Sequence, residues 1–112
     1  MSIVAVADLF GISGRRRDLI AVLADAESEA QDEAGCLRYS FAATLADADH
    51  FVLIGEWRDQ AALDRHYASA GFANFQLSLH GLLARPSTMT VYSVTGATRP
   101  LASGPMDPRD AD

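Results

Sequence analysis

Two neighbouring stretches decide the fold: LRYSFAAT at residues 37–44 and FVLIGEW at residues 51–57. In the first, apolar side chains occupy every second position and mostly polar or small ones lie between, which is the pattern of a half-buried strand. The second is an apolar run of strand length. Because the acidic segment ADAD at residues 46–49 separates them as a polar turn, we predict a β-hairpin.

The flanking sequence extends this hairpin into a complete domain. Residues 3–10 are apolar and partly β-branched, which predicts a strand, and residues 15–34 carry apolar positions at helical spacing, with Ser13 as an N-cap and Gly35 as the C′ residue. After the hairpin, Asp59 caps a helix from residue 60, SAG at residues 69–71 breaks it, a second helical piece spans residues 72–83, and residues 87–94 form the last strand.

The predicted order of elements is βαββαβ, which indicates an α+β fold of the ferredoxin-like plait type. We assign residues 1–95 to this domain. Residues 96–112 hold three of the four prolines and no aromatic residue, so they are predicted to be a disordered tail whose removal leaves the melting temperature nearly unchanged. The plait leaves one sheet face bare, and since apolar residues occur on both faces, we expect a homodimer.

Composition narrows the functional classes. The 112-residue chain is 49% hydrophobic and carries a net charge of −6, so nucleic acid and anionic membranes are not expected partners. No apolar run is long enough to span a membrane, and the N-terminus lacks the basic region of an export signal. A single cysteine, Cys36, cannot form an intrachain disulfide and is predicted to be a small buried side chain. The chain is therefore expected in the cytoplasm.

Few residues offer chemistry. The three histidines have no metal-ligand spacing, and no motif for triad hydrolysis, phosphate binding or dinucleotide binding is present, so no metal site is predicted. His50 is interpreted as a solvated turn residue and His80 as solvent-facing. His66 lies on a partly apolar helix, where it is either a structural histidine or a base in a pocket. Trp57 and Tyr39 serve either core packing or a small-molecule site, since their polar tips need partners when buried.

The motifs GCLRY at residues 35–39, FVLIGEWR at 51–58, ALDRH at 62–66 and FANF at 72–75 resemble, in order and spacing, the antibiotic biosynthesis monooxygenase (ABM) family. The resemblance implies a dimeric α+β barrel and enzymes that oxidise quinols or aromatic polyketides with O2, without flavin, haem or metal cofactor. His66 matches the family's helix histidine and Trp57 its strand-end tryptophan. As catalytic residues we predict His66, as a base or hydrogen-bond partner, with Tyr39 and Trp57 orienting the substrate oxygen. Substrate contacts are expected from Phe72, Phe75, Ala7 and Glu56, with Glu56 either orienting His66 or, preferably, pairing with an arginine.

One branch of the family degrades haem, and this chain departs from it. The positions that match that branch's strand asparagine, helix tryptophan and iron-ligating histidine are Ala7, His66 and Phe75. Because phenylalanine cannot ligate iron, haem degradation ranks third. The leading hypothesis is a cofactor-independent monooxygenase acting on a flat phenol, hydroquinone or anthrone. The alternative is a non-catalytic dimeric module that binds a small ligand or only assembles.

Overall fold

The computed structural model describes residues 1–98, which form four strands and three helices. In chain order the elements are β1 (Ser2–Phe10), α1 (Arg16–Gln31), β2 (Cys36–Ala43), β3 (His50–Trp57), α2 (Gln60–Ala68), α3 (Ala70–Ser78) and β4 (Thr88–Val94). Of the predicted tail, residues 96–98 carry no helix or strand, and residues 99–112 lie outside the described residues. Within the described range no helix has both the length and the apolar character needed to cross a membrane.

The four strands form one antiparallel sheet in the order β2-β3-β1-β4. The predicted β2–β3 hairpin is confirmed, and the order of elements confirms the ferredoxin-like α+β fold. The register places Ala5 opposite Gly55, and Gly55 opposite Tyr39. These three positions therefore form one row across the middle of the sheet, on the face that the helices cover.

The two faces of the sheet differ in burial because side chains alternate along each strand. Every second residue of β1, from Ile3 to Leu9, is at most 3% exposed, and Phe51, Leu53 and Trp57 of β3 are buried on the same side. The positions between them are only half-buried, because no helix of residues 1–98 covers that face. It carries Val4, Val6, Val52, Ile54 and Glu56.

Helix α1 also closes one edge of the sheet. The Glu27 carboxylate accepts a hydrogen bond from the backbone N–H of Phe41 at 2.8 Å, and the Gln31 side-chain amide donates to the Tyr39 carbonyl oxygen at 2.9 Å. These bonds occupy polar groups that an edge strand would otherwise leave open. As a consequence, β2 is held in place directly below the helices, with Tyr39 facing inward.

Both ends of α1 and of α3 differ from the prediction, and α3 begins at Ala70 rather than 72. Helix α1 ends at Gln31 rather than 34, with Asp32 as its C-cap, so the prediction of Gly35 as the C′ residue was wrong. Its N-cap is Arg15 without a side-chain cap bond, so the prediction for Ser13 was wrong as well. Helix α3 ends at Ser78 rather than 83. The positive φ of Gly81, +77°, turns the chain so that Leu82 and Leu83 pair with the end of β1 instead. Leu82 is buried in a turn and Leu83 is half-buried in an isolated bridge, although their spacing in the sequence fits a helix.

Candidate functional site

His66, on α2, lies at the centre of an aromatic cluster between the helices and the sheet. The Asp59 carboxylate accepts a hydrogen bond from the Ala62 N–H at 2.9 Å, which caps α2 as predicted and turns Ala62, Leu63 and His66 toward the sheet. His66 is only 6% exposed. Its ring centroid lies 4.6 Å from that of Trp57, 5.1 Å from that of Phe72 and 5.4 Å from that of Tyr39.

Glu33 is the hydrogen-bond partner of His66, and the sequence analysis missed it. Its Oε2 lies 2.7 Å from Nδ1 of His66. Glu33 begins a turn that the Cys36 N–H closes on the Glu33 carbonyl at 3.1 Å, and Gly35 within that turn has a φ of +83°. Gly35 packs so closely on Ala62, four residues before His66, that an added Cβ would lie 2.6 Å from the Ala62 Cβ. The turn and the helix thereby bring the carboxylate to the imidazole.

A cavity of about 360 Å³ opens between the helices and the sheet, beside His66. Its volume lies at the small end of the range for ligand sites, roughly 300–1,000 Å³. The floor is built from strand residues and the walls from α2, α3 and the segment that leads into β4. The lining includes Ala5, Ala7, Tyr39, Trp57, His66 and Phe75.

The polar groups at the inner end of this cavity are two donors and one imidazole. Within residues 1–98, neither the Tyr39 hydroxyl nor the Trp57 indole N–H has a hydrogen-bond partner, although both residues are almost fully buried. Since no side-chain nitrogen or oxygen atom described is both fully buried and unpaired, both groups keep some accessible surface, and both residues line the cavity. Burial, and next the nearby Glu33 carboxylate, raises the pKa of Tyr39 well above its usual range, so this phenol is a neutral donor near pH 7.

We expect two of the three tyrosines to titrate late in the folded protein. Burial raises the pKa of Tyr67 as well as that of Tyr39, so both should stay protonated past the usual tyrosine value of about 10. A phenol whose pKa is higher in the folded state contributes stability that is complete below the unfolded-state pKa of about 10 and is lost as the pH rises from there toward the folded-state pKa. Absorbance titration of the wild type and Tyr39→Phe measures this.

The variant should show one fewer late phenol, and its melting temperature should fall less steeply between pH 10 and 11 than that of the wild type. A native protein whose three phenols all ionise together near pH 10 would contradict the buried positions of Tyr39 and Tyr67.

The structure brings together most of the residues that the sequence had singled out. His66, Trp57 and Tyr39 line the cavity, as do Phe72, Phe75 and Ala7. Glu56, which is also predicted to contact the substrate, does not line this cavity. It follows the inward Gly55 and precedes the inward Trp57, so strand alternation turns it to the opposite face, beside Arg38 in the register. Glu33, and not Glu56, touches His66. Among residues 1–98 Glu56 forms no ion pair.

The other candidate side chains also have definite places. His50 is not a solvated turn residue: its Nε2 lies 2.7 Å from an Asp8 carboxylate oxygen and its ring stacks on Phe10, on the face away from the cavity. His80 is exposed, as expected, and lies at the rim of the cavity. Cys36 is half-buried, and burial, followed by the Glu33 carboxylate, raises the pKa of its thiol, which disfavours a reactive thiolate.

Comparison with known proteins finds relatives over the same part of the chain. The family model for antibiotic biosynthesis monooxygenases matches residues 2–77, which include Glu33, Tyr39, Trp57 and His66. One curated relative is an uncharacterised protein, sll1783, of Synechocystis sp., which is 29% identical over 80 residues, or 71% of this chain. The chain spans about half of that relative's length, 54%.

Solved structures share the architecture. The Rv0793 protein of Mycobacterium tuberculosis superposes with a TM-score of 0.81 at 24% identity, covering 88% of this chain and 100% of that one. PA3566 of Pseudomonas aeruginosa gives 0.77 at 26% identity, covering 85% and 95%. A structure of an antibiotic biosynthesis monooxygenase gives 0.78 at 23% identity, covering 84% and 99%. At these sequence identities the structural similarity shows a shared fold, while membership of the family is shown by the match to the family model.

Proposed function

Because the chain belongs to the antibiotic biosynthesis monooxygenase family, we propose that it oxidises a flat aromatic phenol, hydroquinone or anthrone with O2, without a cofactor. One observation carries the proposal: a histidine bonded to a carboxylate lies beside two unpartnered donors at the inner end of an apolar cavity. A base and two donors in one place suit a substrate that loses a proton and leaves negative charge on an oxygen.

The proposed reaction begins with proton transfer. Nε2 of His66 takes a proton from the substrate's acidic O–H or C–H bond, and the resulting anion is stabilised on oxygen by hydrogen bonds from Tyr39 and Trp57. The anion then passes one electron to O2, and the substrate radical and superoxide combine to form a C–O bond. The peroxide takes back the proton from His66. The carbon that bears it then loses its remaining hydrogen as a proton while the O–O bond breaks. That proton and the departing hydroxide leave as water, and the other oxygen atom remains on the ring as a carbonyl.

This sequence is balanced, because the substrate supplies all the electrons. Substrate SH2 and O2 give the quinone-like product S=O and one water, and the histidine ends each turnover as it began. The protein's contributions are to hold the ring, to move one proton and to keep water away from the anion. Ala5 and Ala7 leave a flat floor for a ring system, and Phe72 and Phe75 provide an apolar wall.

Oxygen consumption tests the proposal directly. A panel of hydroquinones and anthrones is incubated with the protein in metal-free buffer, and O2 uptake is followed together with product formation. We expect at least one compound to be consumed with one O2 per product, at a rate that depends on His66. Binding of the same compounds without O2 uptake would overturn the monooxygenase proposal and favour the alternative of a non-catalytic ligand-binding module.

A second part of the proposal concerns assembly: we propose that a second copy of this chain covers the open sheet face. That face carries Val4, Val6, Val52 and Ile54, which are only half-buried in the single chain. An apolar surface of this kind is expected to be covered in solution, and a two-fold copy is the usual partner.

Light scattering should therefore give twice the chain mass of 12.0 kDa. Ile54→Arg should shift the protein toward the monomer, because it places a charge at the centre of the covered face. Leu77→Arg is the matched control: Leu77 is 67% exposed on α3, and its replacement should leave the mass unchanged. A wild-type protein that stays a folded monomer at micromolar concentration would refute the dimer.

A further inference from the structure

A second, smaller cavity of about 140 Å³ lies on the other side of His66. It is bounded by α1 and by the junction between α2 and α3, and its polar lining comes from Glu29, Glu33 and Ser69. His66, Tyr39, Phe72 and Phe75 line both cavities, so these four side chains form the partition between them. His66 is thus accessible from two sides, and the two sides differ in chemistry: the larger cavity is mainly apolar and the smaller one is acidic.

The two nitrogens of the imidazole face different partners. Nδ1 lies 2.7 Å from the Glu33 carboxylate, and no protein group among residues 1–98 bonds Nε2. An ionised carboxylate only accepts hydrogen bonds, so the proton of a neutral His66 belongs on Nδ1 and the lone pair on Nε2. The Glu33 side chain keeps 26% of its surface exposed, which lets water reach the carboxylate while His66 itself is buried.

From this geometry we propose that Glu33 is the positioning residue of the site: it holds His66 as the Nδ1–H tautomer, with the Nε2 lone pair directed to the larger cavity. Its catalytic consequence rests on the proposed function, whereas the tautomer does not. When His66 takes the substrate proton, the ring becomes an imidazolium, and the adjacent carboxylate stabilises that charge until the proton returns to the peroxide.

Glu29 provides a matched control. It lies on α1, four residues before Glu33, and lines the same small cavity, but its carboxylate packs against Gly71 and makes no hydrogen bond with His66. Replacing either glutamate by glutamine removes one negative charge from the same cavity. Only Glu33→Gln changes the atom that faces Nδ1, so the pair of variants separates positioning from general electrostatics.

The first experiment reads the tautomer without any substrate. Nitrogen-15 NMR of the histidine side chains in the full-length protein distinguishes a protonated Nδ1 from a protonated Nε2. We expect the Nδ1–H form for His66 in the wild type and in Glu29→Gln, and a loss of that preference in Glu33→Gln, since an amide can also donate to Nδ1. An Nε2–H tautomer in the wild type, or one unchanged in Glu33→Gln, would overturn the proposal.

The second experiment measures catalysis with a substrate found in the oxygen-uptake panel. Glu33→Gln should lower kcat about 10- to 100-fold with KM within about threefold, while Glu29→Gln stays near the wild type. Glu33→Ala opens a gap next to the smaller cavity, and added sodium formate should restore part of its kcat in a saturable way without changing that of His66→Gln. Equal loss in both glutamine variants, or no rescue of a folded Glu33→Ala, would contradict positioning by the carboxylate.

If no compound in the panel is oxidised, the monooxygenase proposal fails while the NMR result still decides the role of Glu33. If turnover is found but the tautomer does not depend on Glu33, the positioning proposal fails while the monooxygenase proposal stands.

Discussion

Replacing His66 by glutamine is expected to lower kcat for an accepted substrate by about 10²–10⁴-fold, which is the usual contribution of general acid–base catalysis. Glutamine can still donate a hydrogen bond to Glu33, but its amide cannot take up a proton near neutral pH. Because the Phe72 and Phe75 wall and the two donors remain, KM should change much less than kcat. Steady-state oxygen uptake and the melting temperature are measured on the same preparation.

His80→Gln is the control, since His80 lies exposed at the rim of the same cavity and should keep kcat within about threefold of the wild type. His66→Ala should additionally cost about 1–3 kcal/mol of stability, because it removes the partner of Glu33 and leaves a gap among aromatic rings. Full activity per folded molecule in His66→Gln would show that His66 only packs, and would transfer the catalytic role to Tyr39 and Trp57.

The sheet was predictable because burial of one face imposes a period of two on each strand. Strand β1 was expected from residue 3 and begins at Ser2, and β3 was expected from residue 51 and begins at His50. Helix ends were less predictable, since apolar spacing alone cannot tell a helix from a pair of buried positions in a turn. Leu82 fits the helical period that starts at Phe72, yet it is buried in a turn after α3, where its carbonyl accepts a hydrogen bond from the Ile12 N–H.

Site residues on a helix or strand could be predicted from the sequence, whereas the site residue in a turn could not. Trp57 and Tyr39 occupy inward positions on their strands, and His66 lies on the buried side of α2. The spacing of apolar residues along these strands and this helix therefore predicted that the three side chains lie on the same side of the sheet. Glu33 is 33 residues from His66 and belongs to no helix or strand. Its only signal in the sequence is that a carboxylate stands two residues before Gly35, the glycine that precedes β2. Glu56 is the reverse case, because the alternation of side chains along β3 already places it on the face opposite to Trp57.

Gly35→Ala is expected to be among the most destabilising single changes in the chain. The φ of +83° at Gly35 disfavours any residue with a Cβ, at about 1–2 kcal/mol, and that Cβ would lie 2.6 Å from the Ala62 Cβ, an overlap that costs roughly another 1–3 kcal/mol. Against a total stability of about 5–15 kcal/mol for a small domain, the loss is large. Chemical denaturation of the wild type and the variant measures it.

Gly14→Ala separates the two causes. Gly14 has a similar φ, +88°, but nothing lies within 4 Å of its added Cβ, so this variant should lose only the backbone contribution of about 1–2 kcal/mol. The excess in Gly35→Ala then measures how firmly the turn is pressed against α2. Since that contact also sets the distance between Glu33 and His66, the folded fraction of Gly35→Ala should show a weakened Nδ1–H preference at His66. Equal destabilisation of the two variants would mean that the turn can move away from Ala62 at no cost, and that the carboxylate is held by the imidazole alone.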